Sequence, residues 1–93
     1  MRLKGLWYAM RQKWFNEESL IRFVRRLRER WPNAEITRVE QHKTKQVLYI
    51  RLENGYVKVI VHYNGGVRAY GSPRGVALAV KNIASRVLGI GEP

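Results

Sequence analysis

QVLYIRLENGYVKVIVHY, residues 46–63, decides the fold. Two runs of alternating side chains, Gln46–Glu53 and Tyr56–Tyr63, flank the dipeptide Asn54-Gly55. Asn-Gly between such runs is the strongest short hairpin signal, because a type I′ turn needs positive φ at both central residues. A two-residue loop there pairs Glu53 with Tyr56, Leu52 with Val57, Ile50 with Val59 and Leu48 with Val61. The last six are all aliphatic and share one side, which a one-residue slip would scatter. That side is the one a helical layer has to cover. The other side sets Arg51 opposite Lys58, Tyr49 opposite Ile60 and Val47 opposite His62. Like charges directly opposite on neighbouring strands cost up to about 1 kcal/mol per pair. Nothing in the fold demands Arg51 beside Lys58, and a phosphate between them would account for the pair.

Downstream, Asn64-Gly65-Gly66 reads as a three-residue loop with a left-handed glycine, leading into a strand over Val67–Gly71. Arg68 and Tyr70 then join the exposed set of Tyr49, Arg51, Tyr56, Lys58, Ile60 and His62. Tyrosines among cations on an open sheet suit unpaired RNA, whose bases stack on aromatic rings. The last element is a helix from Pro73 to Leu88. Ser72 is its expected cap, Pro73 sits in the first helical position and Gly89 follows as the C′ residue. Val76, Ala79, Val80, Ile83 and Val87 make its buried stripe, and Leu78 lies away from it beside Arg74 and Lys81. Ser72-Pro73-Arg74-Gly75, with free N–H groups, a hydroxyl and a guanidinium at a positive dipole end, is a weak anion site.

Upstream, Ala34–His42 reads as a strand in which Ile36 and Val39 fall out of phase. A bulge reconciles them. Residues 16–31 form a helix with Asn16 as N-cap, Glu17 and Glu18 in its first turn, and an apolar stripe of Leu20, Phe23, Val24, Leu27 and Trp31. Pro32 stops it. Residues 1–15 leave two readings open: a packed segment with a short extra helix, or a basic and aromatic arm carrying Arg11 and Lys13 onto a partner. The expected fold is α+β: a four-stranded antiparallel meander with two helices on one face, in the order α-β-β-β-β-α. Residues 16–89 form the domain and residues 90–93 a short tail.

Charge gives the functional direction. The 93 residues carry 18 Lys and Arg against seven acids, all Glu, for a net charge of +11. Such an excess repels itself in a compact domain unless an anion neutralises it, and phosphodiester backbones are the usual anion. Arg22, Arg26 and Arg30 fall in one i, i+4, i+8 row, flanked by Arg25 and Arg28, with Glu18 and Glu29 placed to pair with some of them. Between Arg22 and Arg30 there are five Arg and one Glu. Arginine grips phosphate oxygens in pairs through its planar fork. The expected nucleic-acid contacts are therefore Arg22, Arg25, Arg26 and Arg30 on the helix, Tyr49, Arg51, Lys58 and Arg68 on the sheet, and Arg74, Arg11 and Lys13 beyond them.

Other classes find little support. The chain has no Cys and no Asp, and its two histidines lack metal-motif spacing, so no cofactor or metal is expected. No residues are spaced for acid/base or nucleophilic work. There is no secretory signal and no membrane-spanning run, and the absence of cysteine fits a reducing cytoplasm.

The α-β-β-β-α order resembles that of double-stranded RNA-binding domains, which implies reading of A-form shape through helices and a loop. That family's basic cluster at its last helix shrinks here to Arg74 and Lys81, and this chain has one strand more. The run from Val47 to Gly89 is also similar to a half-repeat of the TATA-binding protein, which implies a sheet face on the DNA minor groove. The intercalating phenylalanines of that family have no counterpart here. In size and charge the chain looks like small archaeal-type ribosomal proteins. The reading favours RNA over DNA: a non-enzymatic component of the ribosome or another ribonucleoprotein, touching RNA and neighbouring proteins but no membrane. The alternatives are a DNA-binding accessory or chromatin protein, and a subunit docking on an acidic protein through Trp7, Trp14 and Leu78.

Overall fold

The computed structural model describes residues 14–89. Its elements are α1 (Glu17–Arg30), β1 (Glu35–Gln41), β2 (Lys45–Leu52), β3 (Gly55–His62), β4 (Val67–Ser72) and α2 (Arg74–Leu88). The strands form one antiparallel sheet in the order β1-β2-β3-β4. The α+β meander expected from the sequence is what the chain adopts. The readings of residues 1–13, including Arg11 and Lys13, and of the tail after Gly89 lie outside the described residues.

α1 starts where its capping chemistry is complete. The Asn16 side chain accepts from the Ser19 N–H at 2.8 Å, and the Ser19 hydroxyl oxygen accepts from the Asn16 N–H at 2.8 Å. This reciprocal box satisfies N–H groups that the first turn leaves without helical partners. Trp31 leaves the helix in an extended conformation, as a residue before proline must. Arg28 then donates from Nε to the Ala34 carbonyl at 2.9 Å, tying the helix exit to the start of β1.

The hairpin differs from the expected one in register but not in parity. Leu52 pairs with Gly55, Arg51 with Tyr56, Ile50 with Val57, Tyr49 with Lys58 and Leu48 with Val59. The loop is thus Glu53-Asn54. Only Gly65 and Gly89 have positive φ among the described residues, so the type I′ turn is not formed. Gly55 instead stands inside the strand because it needs room: a Cβ there would strike the Ser72 carbonyl oxygen of β4. Pairing partners shift by two, an even number, so every side chain keeps its expected face. Leu48, Ile50, Leu52, Val57, Val59 and Val61 all remain on the buried side.

The same parity holds at both edges. A register shift between Ile36 and Arg38 is the bulge in β1, and it brings Ile36 opposite Ile50 and Val39 opposite Leu48, on the helix side. At the other edge Val67 pairs with Val61 rather than Tyr63, again a shift of two, and Gly65 takes the left-handed conformation at φ 98°. Gly71 pairs with Val57, and a Cβ on it would collide with the Tyr56 carbonyl oxygen.

Both helices pack on the aliphatic side, α2 over β3 and β4, and α1 beside it. Phe23 and Leu27 of α1, and Ala77, Val80 and Ala84 of α2, complete the core with the six sheet aliphatics. The α2 stripe is rotated from the expected one: Ala77 and Ala84 lie deepest beside Val80, while Val76, Ala79, Ile83 and Val87 flank it half-buried. Ser72 does not cap α2. It is held in the β4 ladder opposite Tyr56, so Pro73 takes the N-cap position with no side-chain hydrogen bond. Gly89 closes the helix in the left-handed conformation, φ 72°.

The chain before α1 is clamped by a buried side chain. Gln46 Oε1 accepts from the Phe15 N–H at 2.9 Å, and Gln46 Nε2 donates to the Phe15 carbonyl at 3.1 Å. Phe15 is buried and stacks on Phe23 with ring centroids 4.8 Å apart. Trp14 donates from its indole to the Val61 carbonyl at 3.0 Å and meets Tyr63 edge-on. Trp14 is therefore packed, half-buried, against the core.

Gln46→Leu leaves both Phe15 backbone groups buried without partners, and urea unfolding should show a loss of about 1–3 kcal/mol for each. Gly71→Ala forces β3 and β4 apart and should lower stability by about 1–3 kcal/mol in the same measurement, whereas Gly75→Ala, which meets nothing within 4 Å, should be neutral or slightly stabilising.

Candidate nucleic-acid interface

Strand pairing arranges the outer sheet face in rows that cross the strands. The first row is Glu35, Arg51, Tyr56 and Ser72; the second is Arg38, Tyr49, Lys58 and Tyr70; the third is Glu40, Val47, Ile60 and Arg68. Lys45 and His62 begin a fourth. The expected juxtaposition of Arg51 and Lys58 does not occur. Tyr56 faces Arg51, and Lys58 lies between Tyr49 and Tyr70. The phosphate invoked to separate two cations therefore has nothing to separate.

The two edges of this face differ in charge state. On the β1 side the acids are matched: Arg51 holds Glu35 at 2.7 Å and Arg38 holds Glu40 at 2.8 Å. Tyr49 is drawn into this network. The Arg38 guanidinium lies 5.7 Å from its ring centroid, and its hydroxyl reaches Glu40 at 3.5 Å. Tyr49 and Arg51 thus each have a partner within the protein. The signal for this was the sequence Glu35-x-x-Arg38-x-Glu40, which only the bulge places on one face.

On the β3–β4 side, Lys58 and Arg68 are exposed and form no ion pair among the described residues. Tyr56 is 68 % exposed and Tyr70 is 51 % exposed. They are diagonal neighbours on adjacent strands, a spacing of about 7–8 Å. Val47 in the third row is only 4 % exposed and Ile60 and His62 are half-buried, so the open part of the face is the first two rows with Arg68 at their edge.

The second cationic surface is α1. Arg22, Arg25, Arg26 and Arg30 are all exposed. Glu18 and Glu29, expected to pair with them, form no ion pair among the described residues, so these arginines have no carboxylate partner there. Arg22 donates to the Val87 carbonyl at 3.4 Å, at the negative end of the α2 dipole. Arg30 lies 5.0 Å from the centre of the Trp31 ring. Arg25 stands on the other flank, beside an apolar notch of Leu20, Ile21, Val24 and Ile36. Arg74 is exposed in the first turn of α2 without the hydroxyl expected from Ser72.

No family model, no curated protein and no solved structure matches this chain. The likenesses of element order drawn from the sequence assign no residue. No described helix is long and apolar enough to cross a membrane.

The β1 network also sets a titration. The hydrogen bond from His42, 3.3 Å away, holds the Glu40 carboxyl below its ordinary value, with help from the Arg38 charge and the Tyr49 hydroxyl. Because the folded-state value is depressed, Glu40 contributes stability above its unfolded-state value and loses it as pH falls through the folded-state one. His42→Ala should raise the Glu40 value toward that of a free glutamate, read by carboxyl carbon NMR. An unmoved titration would exclude the His42 contact.

Proposed function

We propose that this protein is a non-enzymatic RNA-binding protein, a structural component of the ribosome or another cytoplasmic ribonucleoprotein. The observation that carries the reading is the row Arg22, Arg26 and Arg30 on α1: exposed guanidiniums, four residues apart, with no carboxylate partner among the described residues. Four residues of helix advance about 6 Å, so the row presents paired donors at regular steps over about 12 Å. A phosphodiester backbone matches both its charge and its repetition.

The open sheet rows favour RNA over duplex DNA. Exposed Tyr56 and Tyr70 offer flat rings to unstacked bases, which single-stranded regions of RNA supply and a closed duplex does not. Lys58 and Arg68 stand beside them for the accompanying phosphates.

Binding to a structured RNA should weaken steeply with salt, because each neutralised phosphate releases counterions. The triple change Arg22/Arg26/Arg30→Ala should reduce the slope of log K against log salt by about 2–3 and leave the thermal midpoint within a few degrees of the parent. A flat salt response, or an unchanged slope in the variant, would refute the arginine row as a phosphate contact. Equal affinity for duplex DNA would make the partner DNA.

A further inference from the structure

We infer that one molecule holds two RNA segments at once, a sugar–phosphate backbone on α1 and unpaired nucleotides on the outer sheet face, and so bridges them. This rests on the RNA-binding reading above and adds to it a second site, a division of labour and an activity.

The aliphatic side of the sheet faces the helices, so α1 buries Phe23 and Leu27 toward the sheet and points Arg22, Arg25 and Arg26 away from it. Tyr56, Lys58, Arg68 and Tyr70 project from the opposite side of the sheet. A helix diameter of about 10–12 Å, plus the sheet itself, lies between the two surfaces. A single extended strand cannot lie on both without passing around an edge. On the β1 edge such a path meets Glu35 and Glu40, each already held by an arginine of this chain.

The two surfaces also differ in chemistry. The α1 row has guanidiniums and no exposed aromatic side chain, which suits a backbone read without its bases. The sheet surface has two exposed rings on a diagonal: Lys58 stands opposite Tyr70 and two residues after Tyr56 on β3, and Arg68 stands two residues before Tyr70 on β4. That arrangement suits two successive unstacked bases with their phosphates. A chain with cations on one side alone would coat an RNA; cations on opposed sides let it draw two anionic segments together against their repulsion.

The experiment uses the full chain and two RNAs: a donor-labelled twelve-nucleotide oligouridine and an acceptor-labelled blunt hairpin. Bridging should appear as energy transfer that rises with protein, peaks, and falls when excess protein occupies each RNA separately. Arg22/Arg26/Arg30→Ala should keep oligouridine binding within about threefold and lose the transfer signal. Tyr56/Tyr70→Ala should keep hairpin binding and lose the signal equally; all five residues are exposed, and the circular dichroism of both variants should match the parent. An equimolar mixture of the two variants should not restore transfer, because each molecule lacks one surface. Restoration by mixing would mean that bridging comes from self-association, and would overturn the inference. Binding of both RNAs in mutual exclusion, or loss of both RNAs in each variant, would mean one shared site and would overturn it too. Those outcomes leave RNA binding intact, whereas a chain that binds neither RNA removes both readings.

Discussion

The arrangement of this molecule depends on six aliphatic side chains sharing one face of a two-stranded hairpin. Leu48, Ile50, Leu52, Val57, Val59 and Val61 are each 6 % exposed or less. Their burial is the main apolar gain available to the sheet, and it requires that both helices lie on the same side. The alternation of a strand then leaves the opposite face to whatever stands at the intervening positions. Those positions hold Tyr49, Arg51, Tyr56 and Lys58. The helices, amphipathic by the same logic, turn their own cations outward. Two separated cationic surfaces are thus a consequence of covering one apolar face once.

Charge pairing within the chain then sorts those cations. Glu35 and Glu40 sit on the edge strand β1 and hold Arg51 and Arg38. Exposed pairs of this kind add little stability. Their effect is local: they hold an edge strand that is otherwise mostly exposed, and they give Arg51 and Tyr49 partners within the chain. The exposed cations without a carboxylate partner among the described residues lie mainly on β3, β4 and the two helices. The distribution of glutamate, as much as that of arginine, sets which cations have a carboxylate partner among the described residues.

Parity was legible in the sequence and register was not. The alternation of aliphatic residues from Leu48 to Val61 determines faces, because a strand has a period of two, and any even shift preserves it. Partners across the hairpin depend on the turn. Asn54-Gly55 signals a hairpin, but the glycine is needed elsewhere, at the close approach of Gly55 to the Ser72 carbonyl, a contact 17 residues distant in sequence. The same distant demand removed Ser72 from capping α2. Gln46 was equally silent: its burial is set by Phe15, 31 residues away, and a glutamine at a strand start reads as surface. The helix cap at Asn16, the stop at Pro32 and the left-handed Gly89 were legible because each is decided by its immediate neighbours, whereas which glycine of Asn64-Gly65-Gly66 turns left-handed depended on the β3–β4 register. Within the candidate interface, the arginine row was legible for the same reason, while the fate of Tyr49 and Arg51 hung on a bulge between Ile36 and Arg38.

The charge of the free protein follows from the same geometry. A net +11 over 93 residues destabilises the compact state through self-repulsion, yet the core is satisfied: among the described residues no buried side-chain polar atom lacks a partner. Repulsion is least where cations are spread over two opposed surfaces rather than gathered on one. It falls further when anions occupy them, since any ligand that binds the folded chain and not the unfolded one adds RT ln(1 + [L]/Kd) to its stability. Neutralising one surface lowers the positive potential felt by the other, which eases folding but weakens long-range attraction for a second anion. Salt separates these effects. Screening acts over about 8 Å at physiological ionic strength, shorter than the helix layer between the surfaces, so each should engage its anion almost independently there. Only in dilute buffer should occupancy of one be felt at the other.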